Sequence, residues 1–158
     1  MSRRVLALVL PVAKRRRVLF ILACIFAFPV HAQTVIDGDT IKLDGTTYRI
    51  HGIDAPETHQ ICDDGYPAGI EATAYLRAMM RDRRITCEPK TTDRYGRTVA
   101  LCRADGMDLG EAMVRAGMAW AFTRYSRDYE LAESAARFEG RGVHGRNCKP
   151  AWEQRRER

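Results

Sequence analysis

A tight turn between two alternating runs is the feature that most constrains the fold. Asp44 and Gly45 separate residues 41–43 from residues 46–50. An Asp-Gly pair between alternating runs favours a two-residue turn with positive φ angles, and it predicts a β-hairpin. A further apolar run at residues 34–36 predicts a strand before the hairpin. We therefore expect three short strands at the start of the folded domain.

The remaining chain alternates between helical and extended patterns. Apolar residues at helical spacing predict a helix over residues 67–80, and two apolar runs predict strands at 85–87 and 98–102. Capping and stop signals predict two more helices, at 108–117 and 128–139. Five short strands with a helix between the third and fourth are typical of a small barrel. We predict an α+β fold, a five-stranded OB-fold barrel with three α-helices, with a generic α+β fold as the alternative.

The N-terminus has the pattern of an export signal. Basic residues 14–17 precede a 13-residue apolar run at 18–30, and small residues precede a cleavage point after Ala32. This pattern predicts a signal peptide over residues 1–32, because a membrane span needs about 20 apolar residues. We therefore expect a secreted or periplasmic protein without stable membrane association after cleavage. An uncleaved N-terminal anchor is the alternative.

The mature chain reads as one domain followed by a short tail. No repeat, low-complexity segment or linker interrupts residues 33–147, a length sufficient for one hydrophobic core. We assign residues 148–158 to a C-terminal tail. It carries Arg155, Arg156 and Arg158, and we expect it to be solvated.

The charge balance says little about a partner. The chain has 26 Lys and Arg against 20 Asp and Glu, a net charge of +6. The predicted signal peptide holds six of the basic residues and no acid, so the mature chain is formally neutral. A nucleic-acid partner must therefore be argued from the positions of individual charges. The 46% hydrophobic content excludes a disordered chain.

Four cysteines remain in the mature chain. An even number in an exported domain predicts two disulfides, with free thiols or a zinc site as the alternatives. The fourth and fifth predicted strands flank a turn at residues 93–96, and Cys87 and Cys102 are equidistant from its centre. Opposed residues of a hairpin have Cβ atoms close to the separation that a disulfide spans. We therefore pair Cys87 with Cys102 and, by elimination, Cys62 with Cys148.

Two segments concentrate carboxylates directly after apolar strands. Asp37 and Asp39 flank Gly38 in the first segment, and Asp54 and Glu57 lie in the second. Residues two apart share one side of an extended chain, and a glycine between them allows another backbone to approach closely. Carboxylates with backbone carbonyls are the ligands that Ca²⁺ and Mg²⁺ prefer. Each segment taken alone is more often an ordinary turn.

Two arginines complete a candidate phosphate site. Arg49 ends the predicted hairpin shortly before Asp54, and Arg97 follows the turn at residues 93–96. A guanidinium binds two oxygens of an anion at once, which suits a phosphate beside a metal site. The alternative for either arginine alone is a surface salt bridge.

Taken together, the motifs resemble the staphylococcal nuclease (thermonuclease) family. The resemblance rests on three motifs in one order, at residues 35–40, 49–58 and 92–97, and it covers nearly all of residues 34–146. It implies the five-stranded OB barrel with three helices that the patterns predict independently.

The resemblance implies a calcium site and a general base. The calcium ligands would be the side chains of Asp39 and Asp54 and the backbone carbonyl of Ala55, where family members often carry threonine. Asp37 would lie behind the ligands and orient water bound to the cation. Glu57 would be the general base that activates the attacking water.

The resemblance also implies contacts with the substrate. Arg49 and Arg97 would bind the scissile phosphate and stabilise the charge that develops on it. Arg94 and Tyr95 would touch a neighbouring phosphate, and Tyr125 would match the second of a pair of family tyrosines.

The implied function is that of a monomeric, calcium-dependent endonuclease. It would hydrolyse DNA to products with 3′-phosphates, with RNA left open as a second substrate. Two other functions stay open at this point. One is an OB-fold module that binds nucleic acid without catalysis. The other is a nuclease-like accessory protein in exopolysaccharide biosynthesis of the succinoglycan type.

Overall fold

The computed structural model describes residues 32–156, so the predicted signal peptide lies outside the described residues except for Ala32. The strands are β1 (Gln33–Asp37), β2 (Thr40–Leu43), β3 (Thr46–Ile50), β4 (Ile53–Asp54), β5 (Ile85–Thr92), β6 (Thr98–Ala104), β7 (Met107–Asp108) and β8 (Trp120–Ala121). The helices are α1 (Ala68–Met80), α2 (Leu109–Arg115), α3 (Glu130–Phe138) and α4 (Ala151–Gln154), with a 3-10 turn at Gly142–Gly145 before α4. Over residues 32–156, no helix has the length and apolar character to cross a membrane.

The five longer strands form one mixed sheet. Their order is β1-β2-β3-β6-β5, and β7 extends the sheet by pairing with β6. The β3–β6 pair is parallel and the others are antiparallel, while β4 and β8 form a separate two-stranded ladder. In residues 32–156 no ladder joins β1 to β5, so hydrogen bonds do not close the barrel. The predicted α+β, OB-type arrangement is confirmed, as an open barrel.

The first hairpin forms at the predicted turn. Leu43 pairs with Thr46, which leaves Asp44 and Gly45 as the two turn residues. Their φ angles are 46° and 88°. These are the positive values that a tight hairpin turn requires and that Asp-Gly adopts at low cost.

The second hairpin opposes Cys87 to Cys102, as the sequence predicts, but through two offsetting irregularities. The loop holds residues 93–97, one residue more than the predicted turn at 93–96, which shifts the pairing by one residue. A bulge at Lys90 then shifts the register of β5 back by one residue. The Cα atoms of Cys87 and Cys102 lie 4.1 Å apart and the two residues form a disulfide. Without the bulge, Cys102 would face the residue after Cys87, and no bond could form.

The main core lies between the inner face of the sheet and the helices α1 and α2. Its fully buried members include Ile41, Ile50, Leu76, Leu109 and Met113. They come from β2, β3, α1 and α2, so burial of these side chains packs the hairpin against both helices. A contiguous core of this kind holds the ends of β2 and β3 in place.

A second apolar cluster attaches the C-terminal segment to the domain. It consists of Cys62, Ala68, Trp120, Val143 and Ala151. Ala151 is fully buried, and the Trp152 ring packs edge-on against Trp120 with 6.1 Å between ring centroids. Cys148 forms a disulfide with Cys62, the second predicted pair. The expectation of a solvated tail is therefore wrong for its described part, because α4 packs in this cluster.

His144 lies beside this cluster with an unpaired ring nitrogen. Its ring meets Trp120 edge-on with centroids 6.4 Å apart. Its Nε2 atom is buried and has no hydrogen-bond partner in the described part of the chain. Burial, aided by the positive charge of Arg137, lowers the pKa of His144 to about 4.

We expect this histidine to reduce stability in mild acid. The unfolded chain protonates the imidazole near pH 6.5 and the folded chain only near pH 4. The folded state therefore binds fewer protons in this window, and the contribution to stability is lost as the pH falls. Urea unfolding between pH 4 and pH 8 measures it, and His144→Phe should have a shallower acid loss than wild type. The exposed His59→Gln variant is the control, and equal slopes in all three proteins would contradict the prediction.

Candidate active site

Arg49 joins two buried carboxylates. It lies on β3 opposite Thr40, which places its side chain beside Asp39 at the start of β2. Its Nη1 donates to Asp39 Oδ1 and its Nη2 donates to Asp54 Oδ1, both at 2.6 Å. Asp39 is 3% exposed and Asp54 is 0% exposed. Two charge-assisted bonds from one rigid fork therefore fix the relative positions of these two acids.

The backbone and neighbouring side chains also orient Asp39. Its Oδ2 accepts a hydrogen bond from the Ala55 amide at 2.9 Å, and its Oδ1 accepts one from the Thr40 hydroxyl at 3.0 Å. The Asp39 amide donates to Asp37 Oδ1 at 3.1 Å, which joins Asp37 to the backbone of Asp39. Burial raises the pKa of Asp39 to about 7, against the opposing charge of Arg49. Asp39 therefore holds its proton more readily than an exposed aspartate does.

The short β4–β8 ladder positions Asp54. Asp54 pairs with Trp120, whose side chain is buried in the second apolar cluster. Asp54 Oδ1 is bonded to Arg49, and its Oδ2 accepts a hydrogen bond from Arg155 Nη2 at 2.7 Å. Both oxygens of this fully buried carboxylate thus face a guanidinium.

The loop after β4 carries Glu57 to the same place. Glu57 Oε1 accepts a hydrogen bond from Arg155 Nη1 at 2.6 Å, and the side chain is 29% exposed. The Glu57 amide donates to the side-chain oxygen of buried Gln60 at 3.1 Å. The side-chain nitrogen of Gln60 in turn donates to the Lys149 carbonyl at 2.8 Å. The Glu57 loop is therefore held against the C-terminal segment.

Gly38 allows the two acidic segments to meet. A Cβ atom at this position would lie 2.7 Å from the Ala55 Cβ and 2.9 Å from the Ala72 Cβ. These distances are too short for two carbon atoms, so only glycine fits without a shift. The glycine between Asp37 and Asp39 thus lets other segments of the chain approach closely, as the sequence predicts.

Arg97 belongs to a neighbouring group on the hairpin loop. Its Nε donates to Asp93 Oδ2 at 2.7 Å, and its guanidinium lies 5.5 Å from the ring centroid of Tyr95. Arg94 donates to the Tyr95 hydroxyl at 2.8 Å. In residues 32–156, no hydrogen bond or ion pair joins Arg97 to Asp39, Asp54 or Glu57, and neither terminal nitrogen of Arg97 has a partner. Both terminal nitrogens can therefore donate hydrogen bonds to an anionic ligand.

Arg97 is the last residue of the hairpin loop and directly precedes β6. Arg49 is the partner of Val99 in the parallel β3–β6 pair. The loop that carries Arg97 therefore joins the sheet two residues before the partner of Arg49.

Tyr125 lies on an aromatic strip near the C-terminal helix. It is 72% exposed, and its ring centroid is 5.1 Å from that of Phe122. Phe122 stacks on Trp152 with centroids 5.6 Å apart. The structure therefore connects Tyr125 with α4, and the described contacts do not connect it with the carboxylate cluster.

Arg155 is the site residue that sequence reasoning missed. The sequence pattern predicts a solvated tail for it, whereas in the structure it bonds to both Asp54 and Glu57. The only signal in the sequence is indirect. Cys148 lies seven residues before Arg155, and its predicted partner Cys62 lies five residues after Glu57. A bond between these cysteines brings the two segments together, but it does not reveal which arginine reaches the acids.

The donor set fits a hard divalent cation through charge and oxygen chemistry. Asp37, Asp39, Asp54 and Glu57 can supply four negative charges, and the guanidinium groups bonded to this cluster supply two positive ones. Oxygen-only donors with excess negative charge suit Ca²⁺ or Mg²⁺. In the described residues, no group of three or more His, Cys, Asp or Glu side chains is close enough to hold a metal ion. The predicted ligand set needs only two carboxylates and a backbone carbonyl.

The chain belongs to the family described as staphylococcal nuclease homologue. The sequence profile of that family matches residues 47–144, which is more than half of the chain. The matched region contains the Glu57 loop, the hairpin loop with Arg97 and Tyr125. The family resemblance predicted from the three motifs is confirmed.

Individual relatives have similar identities and different lengths. The chain is 37% identical over 125 residues to the succinoglycan biosynthesis protein ExoI of Rhizobium meliloti (strain 1021), an alignment that covers 74% of this chain and 65% of that protein. It is 33% identical over 133 residues to an uncharacterized endonuclease of Escherichia coli, covering 75% and 83% of the two chains. It is 36% identical over 125 residues to the probable staphylococcal-like nuclease CAN1 of Oryza sativa subsp. japonica, covering 77% and 36%. The chain therefore spans less than two thirds of the length of ExoI and of CAN1.

We expect Gly38→Ala to destabilise the fold through the site. The added Cβ overlaps the Cβ atoms of Ala55 and Ala72, and overpacking of this size costs roughly 1–3 kcal/mol. The free energy of unfolding in urea measures the loss.

A double-mutant cycle with Ala55→Gly tests the cause. Removing the Ala55 Cβ relieves the shorter contact. The double variant should therefore lose less unfolding free energy than the sum of the losses in the two single variants. Strict additivity would show that the contact between Gly38 and Ala55 is not the source of the effect.

Proposed function

We propose that this protein is a Ca²⁺-dependent endonuclease that hydrolyses phosphodiester bonds in DNA, with RNA as a second substrate, and leaves 3′-phosphate products. The observation that carries the proposal is the pair of buried acids, Asp39 and Asp54, held by Arg49 beside the carboxylate of Glu57. Family membership supports the same reaction class, as do the relatives named endonuclease and nuclease.

Hydrolysis of a phosphodiester requires that the negative charge of the phosphate be offset. A phosphodiester is a poor electrophile because its negative charge repels the attacking oxygen, and a bound Ca²⁺ would offset that charge as a Lewis acid. The side chains of Asp39 and Asp54 and the carbonyl of Ala55 would hold the cation. Arg49 and Arg97 would bind the phosphate oxygens and stabilise the charge that increases in the transition state.

Glu57 would accept the proton of the attacking water. Three acids form ion pairs with Arg49 or Arg155, and Glu57 is the least buried of them. Its side chain is 29% exposed, so water can reach it. Its amide is fixed by Gln60, which keeps the loop in place while the carboxylate acts. Proton transfer to a positioned carboxylate contributes about 10²- to 10⁴-fold to a rate.

The hairpin loop and the aromatic strip would bind the rest of the substrate. Arg94 and Tyr95 are adjacent to Arg97 and exposed, which suits contact with a neighbouring phosphate. Tyr125 is 72% exposed and can stack on a base or contact a phosphate. We propose that the protein acts as an exported monomer, secreted or periplasmic, after removal of a signal peptide at residues 1–32. The two disulfides support an oxidising compartment.

A second candidate function is an accessory role in exopolysaccharide biosynthesis. The observation that favours it is the 37% identity to ExoI, which is named for succinoglycan biosynthesis. Deletion of the gene, complemented by wild type or by Glu57→Gln, separates the candidates. An exopolysaccharide defect that Glu57→Gln rescues fully would indicate a role that does not need the nuclease chemistry.

We expect EGTA to abolish cleavage of plasmid DNA and added Ca²⁺ to restore it, because the proposed ligands are all oxygen atoms suited to that cation. Agarose gels or release of acid-soluble nucleotides measure the activity. Full activity in EGTA with excess Mg²⁺ would contradict the calcium assignment.

We expect Glu57→Gln to lower kcat by at least about 10²-fold, because it removes the proton acceptor and keeps the shape of the side chain. Arg49→Ala and Arg97→Ala should each cause a loss of similar size, because each removes a cation from the developing charge. Glu71→Gln and Arg77→Ala, both exposed on α1, are matched controls that should retain wild-type rates. A wild-type rate in any of the three site variants would remove that residue from the mechanism.

A further inference from the structure

Arg155 binds the same two acids that the proposed reaction needs. Its Nη2 lies 2.7 Å from Asp54 Oδ2 and its Nη1 lies 2.6 Å from Glu57 Oε1. The acids are 101 and 98 residues away in the sequence. One guanidinium thus spans a proposed cation ligand and the proposed general base.

The C-terminal segment is anchored so that Arg155 reaches the site. The Cys62–Cys148 disulfide and the hydrogen bond from Gln60 to the Lys149 carbonyl attach its start to the Glu57 loop. Ala151 is fully buried in the second apolar cluster. The Arg155 side chain lies just beyond this anchor and is 40% exposed. The segment can therefore stay attached to the domain while the Arg155 side chain leaves the acids.

Arg155 also completes the local charge balance of Asp54. The two oxygens of this buried carboxylate are bonded to two different guanidinium groups, those of Arg49 and Arg155. A hard cation that uses Asp54 as a ligand must approach oxygens that already face positive charge. Like charges at that separation repel strongly where water is scarce.

We infer that Arg155, held between Asp54 and Glu57, is a built-in counter-ion that competes with the divalent cation for Asp54, and so sets how tightly the site binds that cation. The inference rests on the proposed function, because it presumes the cation site at Asp39 and Asp54. Arg155 acts through these acids and is a positioning residue rather than a catalytic one. The anchored segment keeps its guanidinium at high effective concentration beside the acids, so dilution of the protein does not remove the competitor.

The test is calcium binding to the full mature chain, measured by isothermal titration calorimetry. Arg155→Ala should bind Ca²⁺ about tenfold more tightly than wild type, because binding no longer breaks two ion pairs of ordinary strength. Arg155→Lys keeps the charge and should lie near the wild-type value. Arg156→Ala is the matched control, since Arg156 is the adjacent exposed arginine and has no ion pair with these acids in the described residues.

A second measurement separates competition from a folding defect. The rise in Tm that a fixed Ca²⁺ concentration causes should be larger for Arg155→Ala than for wild type, whatever the Tm in EGTA. Arg156→Ala should show the wild-type rise. Asp54→Asn should lose the rise, which assigns the binding to this site.

The outcomes distinguish this inference from the proposed function. Equal or weaker Ca²⁺ binding by Arg155→Ala, with binding by wild type intact, would overturn the inference and leave the cation site standing. If that variant also had a higher KM for DNA, Arg155 would instead be a substrate residue. Absence of Ca²⁺ binding in wild type and in Arg155→Ala alike would overturn both.

Discussion

The Arg49 guanidinium, bonded at 2.6 Å to both Asp39 and Asp54, is the interaction on which the site depends. Two carboxylates buried side by side would repel each other and lose their hydration, a cost that is severe without a paired cation. One planar fork offsets that cost and fixes both acids at once. It can do so because the β2–β3 hairpin places Arg49 opposite Thr40, next to Asp39. The hairpin register is therefore a condition for the site.

The C-terminal segment adds a second constraint on the same acids. A disulfide and a small apolar cluster bring α4 to the Glu57 loop, and Arg155 continues from α4 to Asp54 and Glu57. A disulfide that closes a chain of 86 residues stabilises mainly by restricting the unfolded state. Here it also helps to bring the segment that carries Arg155 to Asp54 and Glu57. The C-terminal segment therefore contributes both to the stability of the fold and to the charge around the acids.

Local signals predicted most of the secondary structure and the acidic segments. The Asp44-Gly45 turn is set by backbone preferences of two residues, so its hairpin could be predicted directly. The pairing of Cys87 with Cys102 was predicted correctly from a count that ignored both the longer loop and the bulge at Lys90. The two shifts have opposite signs and cancel. Bulges depend on how a strand fits its neighbours, which a single strand's sequence does not reveal.

Sequence alone determined the five longer strands and the three longer helices, because these follow from local preference and residue spacing. It also determined the family, because three motifs occur in one order. It also predicted Asp39, Asp54 and Glu57 as the acids of the site, and the structure brings them together around Arg49 and Arg155. Only the tertiary structure decided that Gly38 must be small and that Arg155 bonds to the acids, because both depend on which distant segments touch. Such contacts are set by packing over the whole core, where burial rather than spacing selects the partners.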